Sequence, residues 1–114
     1  MKPISLVSFT GQVGLVTGAA GGLGLAYSCL LAERGAHVVM HDIGAGLDGT
    51  GSDPQRIGRC VQELQAQGFS VEAASGAIDQ RERCHALVRD ILQRHGRLDF
   101  LIHNAGWVAY QGVE

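Results

Sequence analysis

Short apolar runs alternate with longer segments of helical periodicity along the chain, and this alternation constrains the fold more than any other feature. The apolar runs occupy residues 12–17, 36–42, 69–75 and 98–103, and such runs bounded by turn residues are typical of buried strands. The order β-α-β-α-β-α-β requires parallel strands with helices on both faces of the sheet. We therefore predict an α/β fold, the N-terminal half of a Rossmann-type doubly wound parallel sheet with strand order 3-2-1-4.

The three predicted helices have recognisable ends. The first, over residues 22–34, is indicated by apolar residues at helical spacing: Leu23, Ala26, Tyr27, Leu30 and Leu31. The second begins at Asp53 (or Ser52), which caps it, and Pro54 suits its first helical position. The third follows Asp79. A glycine follows the last turn of each helix, at Gly35, Gly68 and Gly96.

Composition and charge indicate which kinds of molecule the protein binds. Apolar residues make up 46% of the chain and charged residues 18%, which is typical of a globular domain. The formal net charge is -2 and the basic residues are scattered, so we predict neither a nucleic-acid partner nor a membrane surface. No uninterrupted apolar stretch reaches the ~18 residues of a membrane helix. We expect a cytoplasmic protein with a small-molecule substrate.

A cluster of glycines lies where the first predicted strand turns into the first helix, in the stretch Thr17-Gly18-Ala19-Ala20-Gly21-Gly22-Leu23-Gly24. Without side chains, the backbone bends sharply and lets a diphosphate approach the helix N-terminus, where free N–H groups and the helix dipole attract anions. A tight structural turn is the alternative explanation for these glycines. The preceding strand, the following helix and an acidic residue at the end of the second strand favour a dinucleotide site.

That acidic residue, Asp42, predicts which nicotinamide dinucleotide binds. A carboxylate at this position accepts hydrogen bonds from both hydroxyls of an adenosine ribose and repels a 2′-phosphate. Gly21 in the turn and Ile43 after Asp42 supply no cationic group for such a phosphate. We therefore expect NAD as the cofactor in preference to NADP. A solvated aspartate at the strand end is the alternative.

Four motifs occur together in the order of one family: Thr17-Gly18-x3-Gly22-x-Gly24, Asp42, Asp79 and Asn104-Ala105-Gly106. With the preceding Phe9-x-Gly11-x-Val13, they resemble the short-chain dehydrogenase/reductases over essentially the whole chain. The resemblance implies an NAD-dependent oxidoreductase that acts on an alcohol or carbonyl substrate. The glycine-rich residues 43–53 are similar to a subgroup that includes hydroxyacyl-CoA dehydrogenase domains of multifunctional β-oxidation enzymes, which implies by analogy a 3-hydroxyacyl-CoA substrate.

The resemblance also implies a role for each matching residue. The diphosphate is held by four residues of the turn: Gly18, Gly22, Leu23 and Gly24. The adenosine ribose is held by Asp42, and the adenine is approached by Asp79 and Gln80. The cofactor is bordered, and the central strands are tied together, by Asn104, Ala105 and Gly106. The family usually has asparagine where this chain has His103, which we interpret as a neighbouring change that leaves the motif intact.

The residues that move the substrate proton in this family are not found in the chain. Family members use a tyrosine whose acidity is raised by a lysine four residues later, together with a serine that positions the substrate oxygen. Tyr27 and Tyr110 are followed at that distance by Leu31 and Glu114, and Lys2 is the only lysine. We therefore predict no catalytic residue among these 114 residues and no activity of the chain alone.

Neither the cysteines nor the histidines predict another reactive site. The three cysteines lie in helical patterns without CxxC spacing, which favours reduced thiols: Cys29, Cys60 and Cys84. No metal site is predicted, because the five histidines lack ligand spacing with cysteine or aspartate: His37, His41, His85, His95 and His103.

The chain ends soon after the fourth predicted strand, and we expect its domain to continue further. The fourth strand of a doubly wound sheet leads into a second half, so residues 1–114 are predicted to be the NAD-binding part of one domain, truncated after that strand. An apolar edge strand at 98–103 favours self-association, and we expect a homo-oligomer. The alternative function is a non-catalytic NAD-binding module that pairs with itself or with a partner.

Overall fold

A computed structural model describes residues 7–43 and 53–104. Its elements alternate in the predicted order: β1 (Val13–Thr17), α1 (Gly22–Glu33), β2 (His37–His41), α2 (Pro54–Ala66), β3 (Val71–Ala74), α3 (Arg81–His95) and β4 (Phe100–His103). Both β3 and β4 begin two residues later than the apolar runs that predicted them. Within the described ranges, no helix has the length and apolar character to cross a membrane.

The four strands form one parallel sheet in the order β3-β2-β1-β4, which confirms the predicted topology. Thr17 at the end of β1 lies opposite His41 at the end of β2 and His103 at the end of β4. The carboxyl ends of these strands therefore meet at one edge of the sheet. Ligands of open α/β sheets bind outside this edge.

The central strands are buried on both faces of the sheet. On one face, Val16 and Met40 belong to the apolar layer that packs against α1 and α2. On the other face, Leu15 and Val39 pack with Ile91 of α3. Because both faces are covered, successive residues within β1 and β2 are mostly apolar, without an alternation of apolar and polar side chains.

The fully buried residues of helix α1 are small, although Leu31, one of the apolar residues that indicate the helix in the sequence, is partly buried against the same core. Its buried residues, spaced four apart on one face, are Gly24, Ser28 and Ala32. Of the predicted apolar positions, Leu23 is 64% exposed and Leu30 is 45% exposed. The Ser28 hydroxyl donates to the Gly24 carbonyl at 2.8 Å, so this buried polar group is satisfied. Small side chains bring α1 close to the sheet.

The ends of α2 and α3 follow the sequence signals. The Asp53 carboxylate accepts a hydrogen bond from the Gln55 N–H at 3.1 Å, and Pro54 is the first residue of α2. The buried face of α2 consists of Ile57, Val61 and Leu64. Helix α3 ends at Gly96, whose φ of 74° is left-handed and therefore suits glycine.

At the amino-terminal ends of β2 and β3, one carboxylate links the sheet to α3. Glu72 is hydrogen-bonded to His37, Arg94 and His95. Burial alone would raise the pKa of Glu72, but these hydrogen bonds outweigh it and lower the pKa from 4.5 to about 2. The carboxylate is therefore ionised at neutral pH.

Candidate functional site

Three of the sequence-predicted segments meet at the carboxyl edge of the sheet. The Ala20 N–H, in the glycine turn, donates to Asp42 Oδ2 at 2.9 Å. The side-chain amide of Asn104 donates to the carbonyl oxygen of Gly18 at 3.2 Å. The structure thus joins the turn after β1 to the residues that follow β2 and β4.

The glycine turn has a backbone that other residues would not adopt. Gly18 and Gly22 have φ values of 66° and 58°, in the left-handed region. A Cβ atom on Gly24 would lie 2.1 Å from the Gly18 carbonyl oxygen and 2.7 Å from Asn104 Nδ2. Both distances are far below van der Waals contact, so α1 approaches the turn this closely only with glycine at position 24.

The N-terminus of α1 is suited to bind an anion. Gly21 is its N-cap residue, no side chain caps it, and its first turn carries no acidic residue. The first N–H groups of a helix have no partner within the helix, and together with the helix dipole they attract negative charge. Leu23 lies in this first turn with its side chain mostly exposed. Within the turn itself, the groups available to an anion are therefore backbone N–H groups.

Asp42 adds a carboxylate next to the turn. Its backbone N–H donates to the Ala74 carbonyl at 3.2 Å, which fixes its position beside the end of β3. Its side chain is half-buried and accepts from Ala20. A carboxylate has about four acceptor positions, so a hydrogen bond from Ala20 is compatible with further bonds from ligand hydroxyls.

Thr17 holds the end of β4 against the end of β1. Its hydroxyl oxygen accepts from the Asn104 N–H at 3.0 Å and is hydrogen-bonded to His103 Nδ1 at 3.1 Å. Thr17 is 3% exposed. His103, which stands where the resembling family usually has asparagine, is therefore part of the hydrogen bonding that positions Asn104.

We predict that Thr17→Val destabilises the protein by about 1–3 kcal/mol, because valine keeps the volume but leaves the Asn104 N–H without its acceptor. Urea unfolding of the intact protein measures the change. Thr17→Ser is the matched control, since it keeps the hydroxyl and loses one methyl group, at a cost of about 0.8 kcal/mol. Equal stability of Thr17→Val and the wild type would contradict this role for the hydroxyl.

The remaining residues that the sequence predicted for the cofactor site lie just before α3 or after Asn104. Gln80 is the N-cap residue of α3, and the exposed Asp79 pairs with Arg83 at 3.2 Å. The loop before them is held at the end of β2, because His41 Nε2 donates to the Gly76 carbonyl at 2.7 Å. The last two predicted residues, Ala105 and Gly106, fall outside the residues that the structure describes.

Arg56 is a site residue that the sequence analysis missed. A Cβ atom on Gly21 would lie 3.0 Å from Arg56 Nη2, so the guanidinium group stands beside the glycine turn. Gly21 and Ile43 themselves supply no cationic group, but Arg56 of α2 places one beside the turn. The order of strands and helices could have predicted this position of Arg56. A helix that follows a parallel strand begins at the carboxyl end of that strand, so the first turn of α2 lies at the same edge as the glycine turn.

Two of the three cysteines are poor candidates for nucleophilic chemistry. Burial raises the pKa of the Cys60 thiol, and the nearby Glu63 raises it further. Burial also raises the pKa of Cys29. Thiols with raised pKa values stay protonated near neutral pH and react slowly. Among the described residues the cysteines are free, as the sequence predicts.

Comparison with known proteins places this geometry among dehydrogenases. The family model described as short chain dehydrogenase matches residues 12–114. The peroxisomal multifunctional enzyme type 2 of Mus musculus is 38% identical over 102 residues, which cover 90% of this chain and 14% of the mouse protein. The chain thus spans a small fraction of that relative.

Solved structures show the same fold with either dinucleotide. A short chain dehydrogenase from Mycobacterium paratuberculosis bound to NAD has a TM-score of 0.77 and 29% identity, over 90% of this chain and 40% of that one. A metagenomic short-chain oxidoreductase in complex with NADP has a TM-score of 0.75 and 31% identity, over 88% of this chain and 41% of that one. The fold is therefore compatible with both cofactors.

The same comparison corrects the expected location. Relatives from mouse, two fungi and Dictyostelium discoideum bear peroxisomal names, which contradicts the prediction of a cytoplasmic protein. That prediction depended on the lack of a secretory signal and of a membrane helix. Peroxisomal import uses a short peptide address that a receptor reads, so neither absence distinguishes the two compartments.

Proposed function

The chain belongs to the short-chain dehydrogenase family, and on that premise we propose that it forms the dinucleotide-binding part of an NAD-dependent oxidoreductase acting on an alcohol or carbonyl substrate. The observation that carries the proposal is the packing of Gly24 against the Gly18 carbonyl and Asn104, beside Asp42. This packing places the uncapped N-terminus of α1 and the carboxylate of Asp42 next to each other at one edge of the sheet. The diphosphate and ribose of a dinucleotide carry the complementary groups.

Each part of the site has a distinct task in this proposal. Backbone N–H groups of Gly22 and Leu23 bind the diphosphate, and Arg56 contributes positive charge beside them. Asp42 accepts hydrogen bonds from the ribose hydroxyls. Asn104 fixes the Gly18 carbonyl and thereby the shape of the turn. When bound, the nicotinamide supplies the hydride acceptor or donor.

The proposed preference for NAD depends on the balance between Asp42 and Arg56. Asp42 is anchored at the end of β2 through its backbone and through Ala20, which favours free ribose hydroxyls and disfavours a 2′-phosphate. Arg56 is located beside Gly21, at the start of α1. We assign Arg56 to the diphosphate, because the first turn of α1 is where diphosphate charge concentrates.

The proton transfer and substrate recognition belong to other parts of the intact protein. Lys2 is the only lysine in this chain, so a tyrosine-lysine pair of the family type is not contained in it. The substrate class proposed is a secondary alcohol, with 3-hydroxyacyl-CoA thioesters as the first choice, from the similarity of residues 43–53 to hydroxyacyl-CoA dehydrogenase domains.

The test is an assay of the intact protein with NAD and a panel of secondary alcohols that includes 3-hydroxyacyl-CoA thioesters. We expect reduced nicotinamide to form with at least one thioester, and the matching 3-ketoacyl-CoA to be reduced in the reverse direction. A protein that binds NAD but transfers no hydride to or from any of these compounds would favour the alternative, a non-catalytic NAD-binding module.

We also propose that the 114-residue chain forms a homo-oligomer through the edge next to β4, where the second half of the domain would lie in the intact protein. Among the described residues, β4 pairs only with β1. Leu101 of β4 is 54% exposed and Leu92 of α3 is 45% exposed. Apolar surface at a sheet edge is usually paired or covered in native proteins. Sedimentation equilibrium of the 114-residue chain should give a mass above that of one chain, and a monomer over the whole concentration range would contradict the proposal.

A further inference from the structure

Two histidines and a carboxylate converge at the end of the sheet opposite the dinucleotide site. His37 begins β2, Glu72 is the second residue of β3 and His95 ends α3. The distance from His37 Nε2 to Glu72 Oε1 is 2.9 Å, and His95 Nε2 is hydrogen-bonded to the same carboxylate oxygen. The two imidazole rings have centroids 4.7 Å apart. Three donor atoms from three elements therefore surround one point.

The three donor atoms lie close enough together for one metal ion to contact all of them. Each lies within 4.8 Å of the others. Zinc binds imidazole nitrogen and carboxylate oxygen at roughly 2.0–2.2 Å, which places neighbouring ligand atoms about 3.3 Å apart. Glu72 Oε1 now lies at hydrogen-bonding distance from both imidazole nitrogens, which is closer than two ligands of one ion. The carboxylate and the two rings must therefore move apart to admit the ion, and each ring must give up the proton that it shares with this oxygen.

Outer contacts orient two of the three ligands. His37 Nδ1 is hydrogen-bonded to Ser70 Oγ at 2.7 Å, which leaves Nε2 directed at the cluster. Metal-binding histidines commonly have such a partner on the second ring nitrogen. Arg94 binds the other carboxylate oxygen of Glu72, so Oε1 remains the oxygen that faces both imidazoles. The arrangement directs two imidazole nitrogens and one carboxylate oxygen at a common centre.

Access from solvent is preserved. The side chains of His37, Glu72 and His95 are 25%, 21% and 24% exposed. An ion can therefore enter, and a water molecule can serve as the fourth ligand of a tetrahedral site with three protein ligands.

We propose that His37, Glu72 and His95 form a zinc site that joins β2, β3 and α3. Two imidazoles and a carboxylate match the ligand preferences of zinc. The site is remote from the dinucleotide edge, since His37 lies at the start of the strand that Asp42 follows. Its role is structural: one ion links the outer strand pair to the helix on that face. The sequence alone predicts no metal site, because ligands contributed by three separate elements form no spacing pattern.

Zinc binding is tested on the intact protein, purified without a histidine tag and stripped with a chelator. Equilibrium dialysis against zinc should give one tightly bound ion per chain. Cobalt in place of zinc should give the visible absorption bands of a tetrahedral site with nitrogen and oxygen ligands. His95→Ala and His37→Ala should each weaken zinc binding by at least roughly tenfold and remove the cobalt bands. Both measurements are made without dinucleotide, so their outcome is independent of the proposed function.

Three further variants separate ligation from general effects. His85→Ala removes an exposed histidine of α3 outside the cluster and should leave zinc affinity unchanged. Arg94→Ala removes the group that holds the other oxygen of Glu72 and keeps all three ligands, so it should weaken zinc binding roughly tenfold and still give the cobalt bands. Ser70→Ala should weaken binding roughly tenfold, through His37.

Two results would overturn the site. One is the absence of a stoichiometric ion in the wild type, which would make the cluster a hydrogen-bonded network only. The other is unchanged affinity in folded His37→Ala and His95→Ala. If either alanine variant fails to fold, the cobalt spectra of the wild type and of Arg94→Ala decide: tetrahedral bands in both support the site, and their absence in both rejects it.

Discussion

Gly24→Val is expected to remove most of the affinity for the dinucleotide. The first atom of the new side chain would lie 2.1 Å from the Gly18 carbonyl oxygen, a backbone atom that is also hydrogen-bonded to Asn104. Helix α1 must therefore shift away from the turn, which separates its N-terminal N–H groups from the diphosphate. Losing one or two hydrogen bonds to a charged group, at about 1.5–3 kcal/mol each, weakens binding by roughly a hundredfold. Calorimetric titration of the intact protein with NAD measures the effect.

Overpacking at position 24 also destabilises the fold, by about 1–3 kcal/mol, so controls must separate stability from binding. Gly14→Ala provides one, because its Cβ atom would meet the Phe100 ring at 1.9 Å, away from the turn. We expect a similar loss of stability with NAD affinity retained. Gly58→Ala provides the other: nothing lies within 4 Å of its Cβ position in α2, and alanine should add about 0.5–1 kcal/mol of stability. Equal NAD affinity of Gly24→Val and the wild type would contradict the role of the turn.

Asp42→Ala is expected to reduce the preference for NAD over NADP in the intact protein. The substitution removes the acceptor for the ribose hydroxyls and the repulsion of a 2′-phosphate. Losing hydrogen bonds to a charged group costs about 1.5–3 kcal/mol, which corresponds to about a tenfold to hundredfold weaker NAD affinity. NADP affinity should fall less or rise. Titration of each variant with both cofactors gives the ratio.

Arg56→Ala, made in parallel, tests whether the guanidinium group binds the diphosphate or a 2′-phosphate. If Arg56 serves the diphosphate, the variant weakens NAD and NADP by the same factor and leaves their ratio unchanged. A selective loss of NADP affinity would place Arg56 at a 2′-phosphate and contradict our assignment. Asp42→Ala without any change in the ratio would contradict the role of Asp42.

The strand order was predictable because the apolar pattern of β1 and β2 has one physical explanation. Residues 13–17 and 37–41 are almost continuously apolar since helices cover both faces of the sheet. Parallel strands joined by helices then leave few topologies, and the observed order is the one expected. Capping signals at Asp53 and Gly96 fixed the helix ends within a few residues.

The buried face of α1 was not predictable from apolar spacing. Leu23, Tyr27 and Leu30 recur at helical intervals but are exposed, whereas the fully buried residues of the helix are Gly24 and Ser28 with Ala32. Close approach of the helix to the turn requires small side chains, and small side chains give no hydrophobic signal. The requirement for glycine at position 24 becomes visible only from its distance to the Gly18 carbonyl.

Contacts between elements were the other part that sequence reasoning missed. Arg56 follows Asp42 by fourteen residues, and only the return of the chain to the carboxyl edge places its guanidinium beside Gly21. Glu72 and its histidine partners likewise come from two strands and a helix. Side chains brought together by topology have no fixed sequence spacing, so pattern rules do not detect them.

Calorimetric titration of the intact wild-type protein with NAD and with NADP tests the central claim most directly. We expect one NAD molecule to bind per chain, and more tightly than NADP, because the turn at Gly18–Gly24 accommodates the diphosphate and Asp42 accepts the ribose hydroxyls. Absence of binding by either dinucleotide would contradict the assignment of the glycine turn, and tighter binding of NADP would contradict the assignment of Asp42.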